Sequence, residues 1–204
     1  MFKLYNKYIL PKLLDSGMKK EEIEKHRPEV VGLVSGIVLE IGFGSGLNLP
    51  YYKNVKKLYA LEPSQELYDL AKERIKDSGI PVEHLKTSAE KISLADNSID
   101  FVLSTWTFCS IPKPEVALRE ISRVLKFDGK FVFIEHGESP KKLLANIQKI
   151  ITPISKNFTG GCHLDRNMEK MISENGFIIE KIEKFKERFH PLMFLYKGIA
   201  VPKL

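Results

Sequence analysis

The sequence predicts an α/β fold in which a mostly parallel sheet is covered by helices on both faces. Short apolar runs alternate with amphipathic helical segments over residues 36–137, and a glycine-rich turn follows the first run. Such alternation is typical of a parallel sheet. Two further strand-like runs, 177–185 and 192–201, are too close together for an intervening helix, which predicts an antiparallel pair. We therefore expect a seven-stranded sheet with an antiparallel strand at its C-terminal end.

The first five strands are short, apolar and bounded by turn residues, as buried strands usually are. They are predicted at residues 36–42, 56–63, 80–87, 98–105 and 130–137. The helix that follows the second strand ends at Gly79 and has an apolar face formed by Leu67, Leu70, Ala71 and Ile75. Further helices are predicted at 113–128, with Pro114 in the first turn and Gly129 after the end, at about 140–151, and from Asp165 onward.

The composition fits one globular domain. The chain has 204 residues, of which 43% are hydrophobic and 28% are charged. Its net charge of +6 permits an anionic partner but does not indicate one. Two cysteines are too few for a disulfide framework, and we find neither an apolar run of about 18 residues nor a signal-peptide pattern. We expect a cytoplasmic protein with a helical lid at 1–35, a cofactor-binding core at 36–136, and acceptor-side helices with a C-terminal hairpin at 137–204.

The turn after the first strand, within VLEIGFGSGLNLP, indicates what kind of ligand the protein binds. Gly42, Gly44 and Gly46 alternate there, but Leu47 stands where a dinucleotide fingerprint has its third glycine. A phosphate-binding loop is disfavoured because no lysine followed by serine or threonine comes after the last glycine. The carboxylate of Glu40 would repel a pyrophosphate, whereas it suits a ligand that carries an ammonium group beside a sulfonium. S-adenosylmethionine carries both groups.

A second acidic residue, Glu62, ends the second strand about 20 residues after the glycine loop. In nucleotide-binding sheets a carboxylate at this place accepts hydrogen bonds from the ribose hydroxyls. The alternative is that Glu62 caps the helix that begins near Ser64. Because nicotinamide cofactors share this feature, a nicotinamide-dependent oxidoreductase remains an alternative, which Glu40 and Leu47 disfavour.

Four segments of the chain resemble the ordered motifs of class I S-adenosylmethionine-dependent methyltransferases. They are VLEIGFGSG, LEPS, SAEKISLADNSIDFVLST and ALREISRVLKFDGKFVFIEHG. The resemblance implies a Rossmann-like class I methyltransferase fold, with the methionine end of the cofactor at the glycine loop, its ribose at Glu62 and its adenine near Ser88, where the family more often has aspartate. The cofactor-binding residues so predicted are Glu40, Gly42, Gly44, Gly46, Asn48, Glu62, Pro63, Ser64, Ser88, Ala89, Glu90, Thr105 and Trp106.

A narrower resemblance extends over nearly the whole chain. The segments WTFCSI, EHG, GGCHLDR and YKGIAV are similar to those of the methyltransferase-like thiol methyltransferases and their bacterial ubiquinone or phosphatidylethanolamine methyltransferase-like relatives. Trp106 and Phe108 of the first of these segments suit a small, apolar methyl acceptor. A thiol or sulfide is the first expectation, and a phospholipid amine or a quinone-like carbon is the alternative.

The ends of the fourth and fifth strands should border the methyl group, because ligands of parallel sheets bind outside the carboxyl ends of the strands. Histidine titrates near neutral pH, so His136 and His163 are the candidate catalytic bases. Ordinary polar contacts for these histidines, and a buried structural thiol at Cys109, are the alternatives. We expect no metal, because neither Cys-x-x-Cys nor His-x-x-x-His spacing occurs. The predicted acceptor pocket consists of Trp106, Phe108, Cys109, His136, Cys162 and His163.

The turn after the fourth strand also bears on the partners of the protein. It lacks the polar residue, the two prolines and the aromatic residue with which enzymes of this fold methylate amino groups of nucleic acids. We therefore expect a small-molecule acceptor and no nucleic-acid partner. A nucleic-acid methyltransferase and a non-catalytic nucleotide-binding protein are the lesser alternatives.

The first 20 residues interleave aromatic and aliphatic side chains with five lysines. Such a pattern suits an element at a membrane interface. It suits equally a helix that packs on the domain. We expect this segment to form a lid over the acceptor site, with peripheral membrane contact as its further hypothetical role.

Overall fold

The computed structural model describes residues 4–156, 159–187 and 192–203 and shows a seven-stranded sheet. The strands are β1 (Ser35–Ile41), β2 (Asn54–Leu61), β3 (Val82–Leu85), β4 (Ile99–Thr105), β5 (Leu125–Gly137), β6 (Phe177–Lys186) and β7 (Phe194–Pro202). Their order is β3-β2-β1-β4-β5-β7-β6. Strand β7 runs in the direction opposite to the other six strands, so it pairs antiparallel with both β5 and β6. The predicted fold class, including the antiparallel C-terminal strand, is confirmed.

Helices surround this sheet. After one π-helical turn at Tyr5–Ile9, the α-helices are α1 (Leu10–Gly17), α2 (Glu21–Glu24), α3 (Arg27–Val31), α4 (Gln65–Ser78), α5 (Pro114–Val124), α6 (Lys142–Ser155) and α7 (Met168–Glu174). A short 3-10 turn at Leu49–Tyr51 occupies the segment predicted as a short helix or turn. None of the helices described is both long and apolar enough to cross a membrane.

The sheet buries both of its faces, because side chains alternate along each strand. On one face Leu39, Ile41 and Phe131 pack with residues of α5 and α7. On the other face Val38 and Leu103 pack with residues of α3 and α4. Helices on both faces were predicted from the alternation of strands and helices, and the two buried clusters confirm that arrangement.

Helix α4 has the boundaries that the sequence predicts. The Ser64 side chain caps its start by accepting a hydrogen bond from the Leu67 amide, 3.2 Å away. Gly79 ends it in the left-handed conformation, with φ +65°. Because this helix begins directly after β2, the end of that strand is held in a fixed position beside the glycine loop.

Two predicted helix boundaries are wrong. Helix α5 ends at Val124 rather than near 128, because the carbonyls of Arg123 and Val124 accept hydrogen bonds from the backbone of the turn before β4. The buried Leu125 then pairs with Ile99 as the first residue of β5. Helix α7 begins at Met168 with Asn167 as its cap, rather than at Asp165. The Asn167 side chain accepts from the Lys170 amide, 3.0 Å away.

Candidate functional site

A cavity of about 340 Å³ lies at the carboxyl ends of β1, β2 and β4. This is where a parallel α/β sheet binds its ligands. Its walls are the glycine loop, the strand ends, the turns after β3 and β4, and part of the N-terminal helical segment. The lining includes Leu14, Asp15, Met18, Arg27, Glu40, Gly42, Gly44, Ser45, Leu47, Glu62, Pro63, Ser88, Ala89, Glu90, Thr105, Trp106, Thr107, Ser110, Ile111, Pro112, Thr159 and Gly160.

Glu40, near the end of β1, is a buried carboxylate with fixed hydrogen-bond partners. Its two oxygens accept from the Asn48 side-chain amide, at 2.8 Å, and from the Tyr52 hydroxyl, at 2.5 Å. Burial raises the pKa of Glu40 to about 7, against the opposing effect of these donors and of Arg27. A cation placed in the cavity beside this carboxylate would favour its ionised form.

Arg27, the first residue of α3, brings a positive charge to the same wall. Its guanidinium donates to Asn48 Oδ1 at 2.6 Å and to the Met18 carbonyl at 3.2 Å, and it lies 5.0 Å from the centre of the Trp106 ring. The buried Arg27 Nε finds no hydrogen-bond acceptor within the described residues. The cavity thus presents a carboxylate and a partly unsatisfied guanidinium, both bonded to the side chain of Asn48.

The three glycines of the loop have different surroundings. A side chain at Gly42 would collide with Thr107, and one at Gly46 would collide with Leu49 and crowd the buried Ala71. A Cβ on Gly44 would meet only the Gly42 carbonyl oxygen, at 3.8 Å, and would otherwise point into open space. Gly46 does not line the cavity, so its role is packing of the loop on the core.

Glu62, just after the end of β2, faces the glycine loop. Its oxygens accept from the backbone amides of Gly44, at 2.9 Å, and Ser64, at 2.8 Å. Burial raises the pKa of Glu62, while these two amides lower it. Each oxygen retains a lone pair for a further donor. Helix capping and ligand binding are therefore compatible here: the carboxylate bonds the Ser64 amide at the start of α4 and also lines the cavity.

The turn after β3 closes the far side of the cavity with Ser88, Ala89 and Glu90. Ala89 is buried, and Ser88 is exposed at the cavity rim. The Glu90 carboxylate accepts from the Lys113 amide, 3.2 Å away. These are the residues for which the family resemblance implies contact with adenine.

The turn after β4 is held by Glu135, a functional residue that the site prediction did not include. Its buried carboxylate accepts from the Ser104 hydroxyl at 2.6 Å and from the backbone amides of Thr107, at 3.1 Å, and Phe108, at 3.0 Å. Burial raises the pKa of Glu135 to about 8. These bonds fix Trp106 in a left-handed backbone conformation, φ +53°, which costs a non-glycine residue about 1–3 kcal/mol. In this backbone conformation the Trp106 ring forms part of the cavity wall.

The residues predicted to form the acceptor pocket fall into two groups. Trp106 lines the cavity, whereas Phe108, Cys109, His136, Cys162 and His163 do not. Phe108 packs in the core against Phe131. The His163 side chain lies 3.7 Å from Asp165, and burial together with Arg166 lowers its pKa. The structure thus places neither predicted catalytic histidine at the cavity surface.

Cys109, His136 and Cys162 instead form a compact group. Their sulfur and nitrogen atoms lie within 4.8 Å of one another, and His136 Nε2 is 3.2 Å from Cys162 Sγ. A hydrogen bond from the Cys162 thiol, with help from the His136 imidazole, lowers the pKa of the Cys109 thiol well below its ordinary value. Both cysteines are free thiols.

Among the predicted cofactor-binding residues, Glu40, Gly42, Gly44, Glu62, Pro63, Ser88, Ala89, Glu90, Thr105 and Trp106 line the cavity. Gly46, Asn48 and Ser64 stand behind them. Arg27 and Tyr52 are additions that the structure makes. A buried carboxylate needs hydrogen-bond donors. The segment LNLPYYKN, which follows Glu40 closely in sequence, supplies such a donor in Tyr52. Nothing local to Arg27 indicates its role.

The lining fits S-adenosylmethionine. The amino-acid end of that cofactor carries an ammonium and a carboxylate, and the cavity offers Glu40 and the unsatisfied donor of Arg27. The open direction at Gly44 leaves room for a ligand close to the backbone. Glu62, with free lone pairs, suits a diol. A pyrophosphate would meet two buried carboxylates.

Comparison with known proteins agrees with this fit. A family model described as a methyltransferase domain matches residues 39–133. The chain is 29% identical over 191 residues to the thiol S-methyltransferase TMT1B of Rattus norvegicus, covering 89% of this chain and 78% of that protein. It is 28% identical over 160 residues to a phosphatidylethanolamine N-methyltransferase of Cereibacter sphaeroides, covering 78% of each.

The fold is similar to that of a solved SAM-dependent methyltransferase from Aquifex aeolicus. The TM-score is 0.68 at 21% sequence identity, and the match covers 94% of this chain and 98% of the other. The matched domain contains the end of β1, all of β2 and β4, and the glycine loop, which build the cavity. Residues 39–133 are therefore a methyltransferase domain, and the chain is an S-adenosylmethionine-dependent methyltransferase with a Rossmann-like fold.

Proposed function

We propose that the protein methylates a small, apolar thiol. The observation that carries this proposal is the chemistry of the cavity lining, where the described residues include no histidine, lysine, cysteine or tyrosine. A quinone-like carbon or a protonated amine must lose a proton to a base before or during methylation. A thiol near its own pKa supplies a thiolate without one. The 29% identical relative named as a thiol S-methyltransferase supports the same choice.

The acidic residues of the lining are poorly placed to serve as a base. Glu40 and Glu62 accept hydrogen bonds at the cofactor side. Glu90 lies in the turn assigned to the adenine and accepts from the Lys113 amide. Burial alone would raise the pKa of Asp15, but hydrogen bonds from Lys19 and Ser45 and the charge of Arg74 lower it below its usual value. A carboxylate with a lowered pKa is a weak base.

The roles of the cofactor-side residues follow from their positions. When bound, S-adenosylmethionine supplies a methyl group activated by its sulfonium. We infer that Glu40 and Arg27 hold the amino-acid end, that Glu62 accepts from the ribose hydroxyls, and that the Ser88–Glu90 turn borders the adenine. Asn48 fixes the distance between Glu40 and Arg27, because its amide bonds both side chains.

The acceptor side is apolar. Leu14 and Met18 from the N-terminal segment, Trp106 from the turn after β4, and Ile111 nearby contribute to the lining. These side chains exclude water, and a desolvated thiolate reacts more readily with a cationic methyl donor, because the reaction neutralises charge. We infer that the N-terminal segment is the lid of this site.

We expect labelled S-adenosylmethionine and a panel of acceptors to give methyl transfer to alkyl thiols and hydrogen sulfide. Transfer to phosphatidylethanolamine or demethylated quinones should be far slower. For thiols, kcat/KM should rise with pH and level off near the pKa of the acceptor thiol, about 8.5 for a cysteine-like thiol. Product formation is measured by mass spectrometry.

The control variant is His163→Ala, which removes one of the two candidate bases without touching the cavity lining. It should retain most activity toward thiols at a pH above the acceptor's pKa. A loss of activity that persists there, or transfer to the lipid or quinone alone, contradicts the thiol proposal. The assignment as a methyltransferase would stand in either case.

Peripheral membrane contact is a second proposal, carried by two exposed apolar surfaces. In the N-terminal segment Leu4 is 64% exposed and Leu13 is 55% exposed. On α6, Leu143, Ile150 and Ile154 are 74%, 73% and 66% exposed and lie on one face of the helix. Exposed lysines accompany both surfaces, among them Lys12, Lys142 and Lys149. Phe2 and Lys3 of the predicted interfacial segment lie outside the described residues.

We expect the protein to co-sediment with vesicles of anionic lipid at low salt, and less so at high salt. The variant Ile150→Glu/Ile154→Glu should lose most of the bound fraction. Phe127→Glu is the matched control, because Phe127 is 76% exposed but lies outside both surfaces. Absence of vesicle binding at low salt, or equal loss in the control variant, would refute this proposal.

A further inference from the structure

We propose that Cys109, His136 and Cys162 bind one Zn²⁺ ion, with a fourth coordination position left open. The three side chains come from three different places: the turn after β4, the penultimate residue of β5, and the loop before α7. The sequence predicts no metal because these residues share no local spacing. Only the fold brings them together.

The distances fit a zinc site. Zn²⁺ binds cysteine sulfur at about 2.3 Å and histidine nitrogen at about 2.0–2.1 Å, so two ligand atoms of a tetrahedral site lie about 3.5–3.8 Å apart. Here the three candidate ligand atoms lie within 4.8 Å of one another, and the Cys162 Sγ to His136 Nε2 distance is 3.2 Å. Closing the widest pair by at most about 1 Å, through side-chain rotation, brings all three atoms onto one ion.

The type and number of ligands also fit. Two thiolates neutralise the charge of Zn²⁺, and soft thiolates with an imidazole select Zn²⁺ over Mg²⁺ or Ca²⁺. Three protein ligands plus one open position is the arrangement of reactive zinc sites, whereas purely structural sites use four. The group is largely enclosed, because Cys109 and His136 are buried and Cys162 is half-buried.

The backbone around the ligands is already ordered. The His163 amide donates to the Cys109 carbonyl at 2.8 Å, which ties the loop carrying Cys162 to the turn carrying Cys109. The Gly161 amide donates to the Lys156 carbonyl, also at 2.8 Å. The Arg166 side chain donates to the Phe108 carbonyl, next to Cys109, and so holds the turn that carries this ligand.

The zinc site adjoins the acceptor end of the cavity, so a bound ion would hold part of the cavity wall in place. Cys109 Sγ lies 3.4 Å from the hydroxyl of Ser110, which lines the cavity, and the loop that holds Cys162 also supplies Thr159 and Gly160 to the lining. A zinc ion at the cluster would fasten these two parts of the wall to β5. The inference goes beyond the proposed thiol activity and does not depend on it.

The test is metal analysis of the purified full-length protein. We expect one zinc per chain by inductively coupled plasma mass spectrometry after growth with zinc, and loss of that zinc in Cys162→Ser and in His136→Asn. His163→Ala, next to the cluster but outside it, should keep its zinc. Substitution with Co²⁺ should produce thiolate-to-cobalt charge-transfer bands and the d–d bands of a tetrahedral site, and both should disappear in Cys162→Ser.

The fold of each variant is checked by its affinity for S-adenosylhomocysteine, which binds at the other end of the cavity. A wild-type protein that binds no zinc and shows no cobalt bands overturns the proposal. So does a mass lower by two hydrogens, which would show that Cys109 and Cys162 form a disulfide instead. Equal zinc in wild-type protein and in Cys162→Ser would place the metal elsewhere and overturn it too.

Discussion

Replacing Gly44 by valine should abolish measurable binding of S-adenosylmethionine, an expected loss of at least about 100-fold, or about 2.7 kcal/mol. A Cβ at this position meets nothing closer than the Gly42 carbonyl oxygen, at 3.8 Å, so the valine side chain would project into the cavity. It would fill space beside Glu62, whose carboxylate accepts from the Gly44 amide. Isothermal titration calorimetry with S-adenosylmethionine, S-adenosylhomocysteine and NAD measures the effect, and the wild-type protein should bind the first two only.

The strain of valine in the left-handed conformation must be separated from occupation of the cavity. Gly79, at the end of α4, offers the matched control, because its φ of +65° is close to the +59° of Gly44 and a Cβ added there would have no neighbour within 4 Å. Gly79→Val should lose comparable stability but keep its cofactor affinity. Unchanged affinity in a folded Gly44→Val, or equal loss of affinity in both variants, would contradict the assigned role of Gly44.

The position of the glycine loop was predictable from the sequence, but the separate roles of its glycines were not. The spacing of three glycines after an apolar strand predicted where the backbone approaches a ligand, and the cavity lies there. The spacing did not distinguish Gly44, which opens toward the cavity, from Gly46, which packs against Leu49 and Ala71. That difference depends on α4 and the 3-10 turn, which are packed by tertiary contacts that no local pattern encodes.

The other residues that were not predicted from the sequence take their roles from contacts with distant parts of the chain. Arg27 reaches Asn48 across 21 positions, and the Ser104 and Phe108 contacts of Glu135 span about 30. The Cys109, His136 and Cys162 group joins three segments in the same way. Strand–helix alternation is local and periodic, so it predicted the sheet well, whereas pairings between distant polar side chains follow only from the assembled fold.

Replacing Glu40 by glutamine should weaken S-adenosylmethionine binding by at least roughly 30-fold, which corresponds to about 2 kcal/mol for removing one charge of a buried pair. In the wild-type protein the pKa of Glu40 is raised by burial to about 7, so a proton competes with the cofactor's ammonium for this carboxylate. Affinity should therefore fall by up to about tenfold per pH unit below pH 7. It should fall again above about pH 8, where an α-amino group loses its proton.

Glu40→Gln should abolish the fall in affinity below pH 7. Glu90→Gln, which removes another carboxylate of the lining, should leave that fall unchanged. 5′-Methylthioadenosine, which lacks the amino-acid end, should bind without the pH dependence assigned to Glu40.

In the unliganded protein, the stability of the fold should change with pH in the opposite direction to the affinity. Because the folded-state pKa of about 7 exceeds the usual 4.5, ionising Glu40 opposes folding, and stability should fall as pH rises between these values. Glu40→Gln should lack this loss, so its melting temperature relative to wild type should rise across that range. An affinity profile identical in wild type and Glu40→Gln would show that the ammonium is bound elsewhere.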